Sequence, residues 1–154
     1  IRTPAKGYNM NLNELKDMTK ADSVIDGTEL AIESIKIPQL HNKYLNLLQD
    51  EKLILRRFSS ELRILSRKKW EYYTGKMSKE EMDDLGWDAF QLNVLKKDIG
   101  TYINSDLDII KLSDKVAYHE AKIAILEETL KELNSRNWVI RNAIEWNKFT
   151  QGGF

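Results

Sequence analysis

The 154-residue sequence contains no cysteine, only two prolines and only seven glycines. Without thiols there is no disulfide framework and no thiolate nucleophile, which fits a reducing cytoplasm. Few helix breakers together with 31% charged residues point to a helical protein with long solvated faces. No run of roughly eighteen apolar residues occurs and no signal-peptide pattern is present, so the chain reads as soluble and not exported. Enzyme chemistry is poorly supplied. The two histidines are His41 and His119, and neither stands in a nucleophile–base pattern. Zinc-ligand spacing and the Gly-x-x-x-x-Gly-Lys phosphate cradle are both absent. No catalytic residue, metal or cofactor is therefore expected. The carboxylates Glu80, Glu81, Asp83 and Asp84 read as a solvated acidic turn, with a metal-dependent nuclease as a remote alternative.

Formal net charge is also lacking, yet its distribution is uneven. Residues 1–77 carry 14 Lys/Arg and 10 Asp/Glu, and residues 78–154 the reverse, 10 and 14. That imbalance implies a local basic surface, or head-to-tail contacts between subunits.

Residues 1–9 show no periodicity and read as a flexible leader or added remnant, leaving 10–154 as a single helical domain. Residues 11–22 predict a short first helix, and Thr28 is placed to cap the next. Pro38 should start or kink the main helix. From there Tyr44, Leu48, Glu51, Leu55, Phe58, Leu62, Leu65, Lys69 and Tyr72 follow a four-three spacing, the seam of a helix packed lengthwise on others. Gly75 suits its C-terminal cap, and Ser78 with Glu81 forms a capping-box pattern. Residues 87–105 predict a helix near 88–98 and a bend at Gly100. Asn104 or Ser105 should cap a last long helix, with Asp106 and Asp108 in its first turn. Its seam is Leu112, Val116, His119, Ile123, Leu126, Leu130, Leu133, Asn137, Ile140 and Ile144. Two such helices suggest an all-α hairpin or bundle that shares apolar surface between subunits. His119, on that seam, reads as a satisfied core or interface histidine.

On a helical wheel starting at Lys52, Arg56 falls at about 40°, Arg63 at about 20°, Arg67 at about 60° and Trp70 at about 0°. Cations in a row that ends in an aromatic suit unpaired nucleic acid: Lys and Arg neutralise phosphates, and Trp70, Tyr72 or Tyr73 offers a stacking surface. The plainer readings are a solvated face or pairing with a neighbouring subunit's acids, and a basic amphipathic helix also fits a membrane surface. Lys69 lies in the apolar seam, where its charge either snorkels out or faces an opening in an oligomer.

From Met10 onward a set of pieces stands in a collinear order: Ile25, Asp26, Thr28 and Leu30; Lys43, Leu45 and Asn46; Tyr72, Tyr73 and Gly75; Asp106, Asp108, Ile109, Ile110 and Lys111; and Ser135, Arg136, Trp138, Ile140 and Arg141. On these pieces the chain resembles the UvsY recombination mediator family of T-even-like bacteriophages. The resemblance implies a non-enzymatic protein that binds single-stranded DNA as a ring-like homo-oligomer of six or seven chains. It further implies loading of a RecA-like, UvsX-type recombinase onto strands covered by the phage single-strand-binding protein, in the cytoplasm of an infected bacterium. The family's basic pair before the paired tyrosines maps onto Arg67 and Lys69, with Lys68 where a small residue is usual and Trp70 where an aliphatic is usual. The expected DNA-binding set is Lys52, Arg56, Arg63, Arg67, Lys68, Lys69, Trp70, Tyr72, Tyr73 and Lys76. The alternative is a structural coiled-coil oligomer with no nucleic-acid role.

Overall fold

The computed structural model describes residues 10–152, so the leader expected over residues 1–9 lies outside the described residues. Every regular element among them is helical: α1 (Leu12–Asp22), α2 (Leu30–Tyr73), α3 (Lys79–Leu85), α4 (Ile99–Asn104) and α5 (Leu107–Thr150). Packing gathers them into two compact units. One combines residues up to Leu53 with those from His119 onward, and the other is Ile54–Tyr118. Both long helices contribute to both units.

In the first unit α1 begins with a reciprocal capping box, in which Asn11 accepts from the Glu14 N–H and Glu14 accepts from the Asn11 N–H. The far end of α1 is tied down by polar groups. The Asp22 carboxylate accepts from Lys43 Nζ and Tyr44 Oη, both at 2.7 Å, and the Asp22 carbonyl accepts from Arg136 Nη2 at 2.8 Å. Burial raises the Asp22 carboxyl's pKa, but the bonds from Lys43 and Tyr44 outweigh that and hold it below the ordinary value. Tyr44 is fully buried and Arg136 nearly so. Replacing Tyr44 by Phe keeps the ring's packing and removes one charge-assisted bond. The expected loss is about 1.5 kcal/mol in urea denaturation.

Two expectations about the start of α2 are corrected. Thr28 does not cap it: its N–H and hydroxyl both donate to Asp26 Oδ1, forming a turn one step upstream. Of the start or kink expected at Pro38, the start is excluded, because α2 is already helical from Leu30 with Pro38 inside it. The missing N–H costs one bond, but Glu33 and Ile37 in the preceding turns are buried, and that packing carries the helix through. Farther along, Glu51 is held by Lys122 and by His119 Nδ1 at 2.7 Å, so the buried Glu51 of one seam meets the half-buried His119 of the other.

In the second unit α2 and α5 run antiparallel. Phe58 meets Lys115, Lys69 meets Asp108 and Tyr73 meets Asp106, the later residue of one helix always facing the earlier of the other. Gly75 at φ 71° closes α2, with the Lys76 N–H donating to the Glu71 carbonyl and the Gly75 N–H to that of Tyr72. Ser78 and Glu81 form the capping box of α3.

Residues 87–95 are not helical, against the expectation of a helix near 88–98, and Gly100 lies inside α4 instead of marking a bend. Aromatic packing explains the difference. Trp87 and Phe90 fold onto Tyr72, Tyr73 and Tyr102 at centroid distances of 5.0–5.9 Å, and the Tyr72 hydroxyl donates to the Asp88 carbonyl. Those contacts hold the segment against the end of α2 in an irregular conformation, where local helix propensity is overridden. The cap of α5 is also corrected. Ser105 finishes α4 by donating to the Thr101 carbonyl, and Asp106 caps α5 by accepting from the N–H groups of Asp108 and Ile109.

The second seam lies on the covered side of α5: Ile123, Leu126, Leu133 and Ile140 are buried, and Leu112, Val116, Leu130 and Ile144 are half-buried. Asn137 is exposed, and its neighbour Arg136 takes the buried place.

Candidate nucleic-acid interface

The last five turns of α2 set the cations of the second unit along its solvent side. Arg56, Arg63 and Arg67 are exposed and Lys68 is half-buried. Arg56, Arg63 and Lys68 make no ion pair with any described residue, and Arg63 donates only to Ser60 Oγ at 3.2 Å. Arg67 stands 3.8 Å from Glu71, with 72% of its side chain exposed, so that contact is weak and screened. Trp70 is 39% exposed, and the Lys76 ammonium lies 4.1 Å from its ring centroid. Lys52, the first member of the predicted row, belongs to the other unit, where it pairs with Glu127 at 3.0 Å.

Lys69 behaves differently. It is 5% exposed, and it neither snorkels to solvent nor faces an opening within the chain. Its ammonium is 2.8 Å from Asp108 Oδ2, 3.0 Å from Asp106 Oδ2 and 3.9 Å from the Trp87 ring centroid. Tyr73 donates to the same Asp106 oxygen at 2.6 Å. Four residues thus join the end of α2 to the cap of α5. Tyr72 and Tyr73, both half-buried, spend their hydroxyls on Asp88 and Asp106 and their rings on the aromatic cluster. Asp106 and Trp87 escaped the sequence reading as partners of Lys69. The one signal was a lysine at a seam position, which demands an acid on the facing helix.

The cluster dictates a pH response. Burial raises the Asp106 pKa, but hydrogen bonds from Tyr73, Lys69 and the Ile109 N–H outweigh that and hold it below the ordinary value. Burial lowers the Lys69 pKa, and its bonds to Asp108 and Asp106 reverse that and raise it. Burial and the bond to Asp106 raise the Tyr73 pKa. A depressed carboxylate stabilises the fold above its unfolded pKa of about 3.9 and loses that contribution as pH falls through the folded value. The raised groups stabilise the fold below about pH 10 and lose their contribution as pH climbs past their unfolded values. A plot of melting temperature against pH should therefore be flat between those limits and fall on both sides. Asp106→Asn should flatten the acid limb, because the amide oxygen can still cap α5 but does not titrate.

Comparison with known proteins decides the family. A family model described as "Recombination, repair and ssDNA binding protein UvsY" matches residues 18–153. The chain belongs to the UvsY family. The recombination protein uvsY of Enterobacteria phage T4 is 23% identical over 143 residues, covering 93% of this chain and 99% of that protein. Crystal structures of the bacteriophage T4 recombination mediator protein UvsY share the fold. One aligns with a TM-score of 0.82 at 22% identity over 93% of this chain and 99% of the other, and a second crystal form aligns at 0.78 and 20% over 92% and 99%. Membership in the UvsY family supports a role in recombination and repair that involves single-stranded DNA. Among the described residues, no helix is long and apolar enough to cross a membrane, and no cluster of His, Cys, Asp or Glu could hold a metal ion.

Proposed function

We propose that the protein is a non-enzymatic recombination mediator that grips unpaired DNA through Arg56, Arg63, Arg67, Lys68 and Lys76. Several chains then assemble, as a ring of six or seven, so that their ridges act together. The observation that carries this reading is the row of exposed arginines, two of them without an ion pair to any described residue, on one side of a single helix. A solvated face that merely kept the protein in solution would be expected to intersperse both signs, whereas the row Arg56, Arg63 and Arg67 carries one sign and meets its first acid at Glu71. Unpaired phosphates complement it, and each contact would release counterions. Lys69, Tyr72 and Tyr73 serve from beneath: they fix the end of α2 that presents Arg67, Lys68 and Trp70. Lys52 contributes more weakly, because Glu127 already answers its charge.

Each chain alone offers a shallow, salt-sensitive site. Linking several sites raises the effective concentration of strand at every one of them. A strand held along the assembly would be loosened from single-strand-binding protein and handed to a RecA-like recombinase of the UvsX type, in the cytoplasm of an infected bacterium. The test is the DNA-dependent ATPase of such a recombinase on strands precoated with single-strand-binding protein. Added protein should restore the suppressed activity, and a variant with alanine at Arg56, Arg63 and Arg67 should not. If the wild type leaves the suppression intact while binding bare strands, the loading role is wrong. If it binds no strand, the structural coiled-coil reading replaces this one.

A further inference from the structure

Beside the ridge, within the second unit, a half-open cleft of about 830 Å³ separates the end of α2 from α4. Its volume falls inside the roughly 300–1,000 Å³ range of small-molecule sites. Trp70 and Phe90 supply rings to its lining, Lys76 and Lys96 supply charge, and no carboxylate lines it. Its lining includes residues 91–94, which have no regular secondary structure. The side-chain amides of Gln91 and Asn93 are exposed and hydrogen-bond to no described residue.

Each feature matches one part of a nucleotide. A base needs an aromatic surface and hydrogen-bonding groups for its edge, and its flanking phosphates need cations nearby. Trp70 belongs both to the ridge and to the cleft, so a strand lying along Arg63 and Arg67 reaches the cleft without leaving the helix. Lys76, poised over the Trp70 ring, places a charge beside the stacking surface. We propose that this cleft receives an unstacked base of the bound strand, with Lys76 and Lys96 on the neighbouring phosphates. The proposal rests on the single-stranded-DNA reading above and adds a base-dependent component to it. Binding then depends on bases as well as on charge, and an abasic strand binds less tightly than an intact one.

Gly100 gives the means to fill the cleft. It lines the cavity, and a Cβ built on it meets nothing within 4 Å. Gly100→Leu should therefore fold and occupy the space. Full-length protein is titrated by fluorescence anisotropy with an oligothymidylate and with an abasic oligonucleotide of equal length. Wild type should prefer the intact strand by about tenfold, the value of one stacked base. Gly100→Leu should lose that preference while holding the abasic strand as wild type does. Lys96→Ala, an exposed change that leaves packing untouched, should lower the salt slope by about 0.7 for each chain engaged. Abasic and intact strands bound equally by wild type, or equal losses on both for Gly100→Leu, would overturn the cleft assignment and leave the ridge standing. Failure of both strands to bind wild type would instead overturn the ridge. A change in particle mass on light scattering for Gly100→Leu, with unchanged strand preference, would assign the cleft to a second copy of the chain and overturn the proposal.

Discussion

Alanine at Arg56, Arg63 and Arg67 together weakens binding to unpaired DNA on the order of a few hundredfold at 50 mM salt, and the defect shrinks as salt rises. The magnitude is that of a single engaged chain and follows from counterion release: each phosphate contact on a single strand contributes about 0.7 to the slope of log affinity against log salt, so three contacts remove about 2 for every chain engaged, and the loss grows with each further chain. The three side chains are exposed and their only hydrogen bonds or ion pairs to described residues are with Ser60 and, weakly, Glu71, so stability changes by no more than about 0.5 kcal/mol. A filter-binding series at four salt concentrations, with urea denaturation alongside, checks both halves. A parallel shift with unchanged slope would mean the arginines act through packing and not on phosphates.

Lys69→Met reverses the pattern. Methionine preserves the apolar stem but takes the cation from between Asp106 and Asp108, and Asp106 is 9% exposed. Breaking a buried pair from one side typically costs about 3–5 kcal/mol, and the lower end applies here because Asp108 is largely exposed and Tyr73 still serves Asp106. The melting temperature should fall sharply, while the salt slope of the folded protein stays close to wild type. Arg67→Ala should do the opposite, lowering the slope by about 0.7 per chain with little loss of stability. The basic pair read from the sequence as one motif thus divides into an exposed residue, proposed to face the strand, and a buried residue that holds the helix end. If Lys69→Met lowers the slope as Arg67→Ala does, that division is wrong.

Much of this was legible in the chain. Asn11, Ser78 and Gly75 stop and start helices by local chemistry, so the boundaries near them could be read directly. The direction of the ridge was legible too, because helical periodicity alone sets which residues share a side. The segment over 87–95 was not. Its shape is set by Trp87 and Phe90 meeting tyrosines from α2 and α4, and no local signal carries that information. Lys69 was misleading for a related reason. Its partners stand 37 and 39 residues away, and only the antiparallel pairing of α2 with α5 brings them together. Asn137 shows the limit of a fixed heptad: the seam predicts it, but its neighbour Arg136 takes the buried place, bound to the Asp22 carbonyl and Glu132.

The central claim is that copies of one cationic ridge act together on unpaired DNA, and the wild-type salt slope on a long oligothymidylate tests it most directly. The seven cations Lys52, Arg56, Arg63, Arg67, Lys68, Lys76 and Lys96 of one chain can contribute at most about 4.9 to that slope. The account predicts a markedly steeper value, because several chains engage one strand. A slope no steeper than a single chain can supply would contradict it.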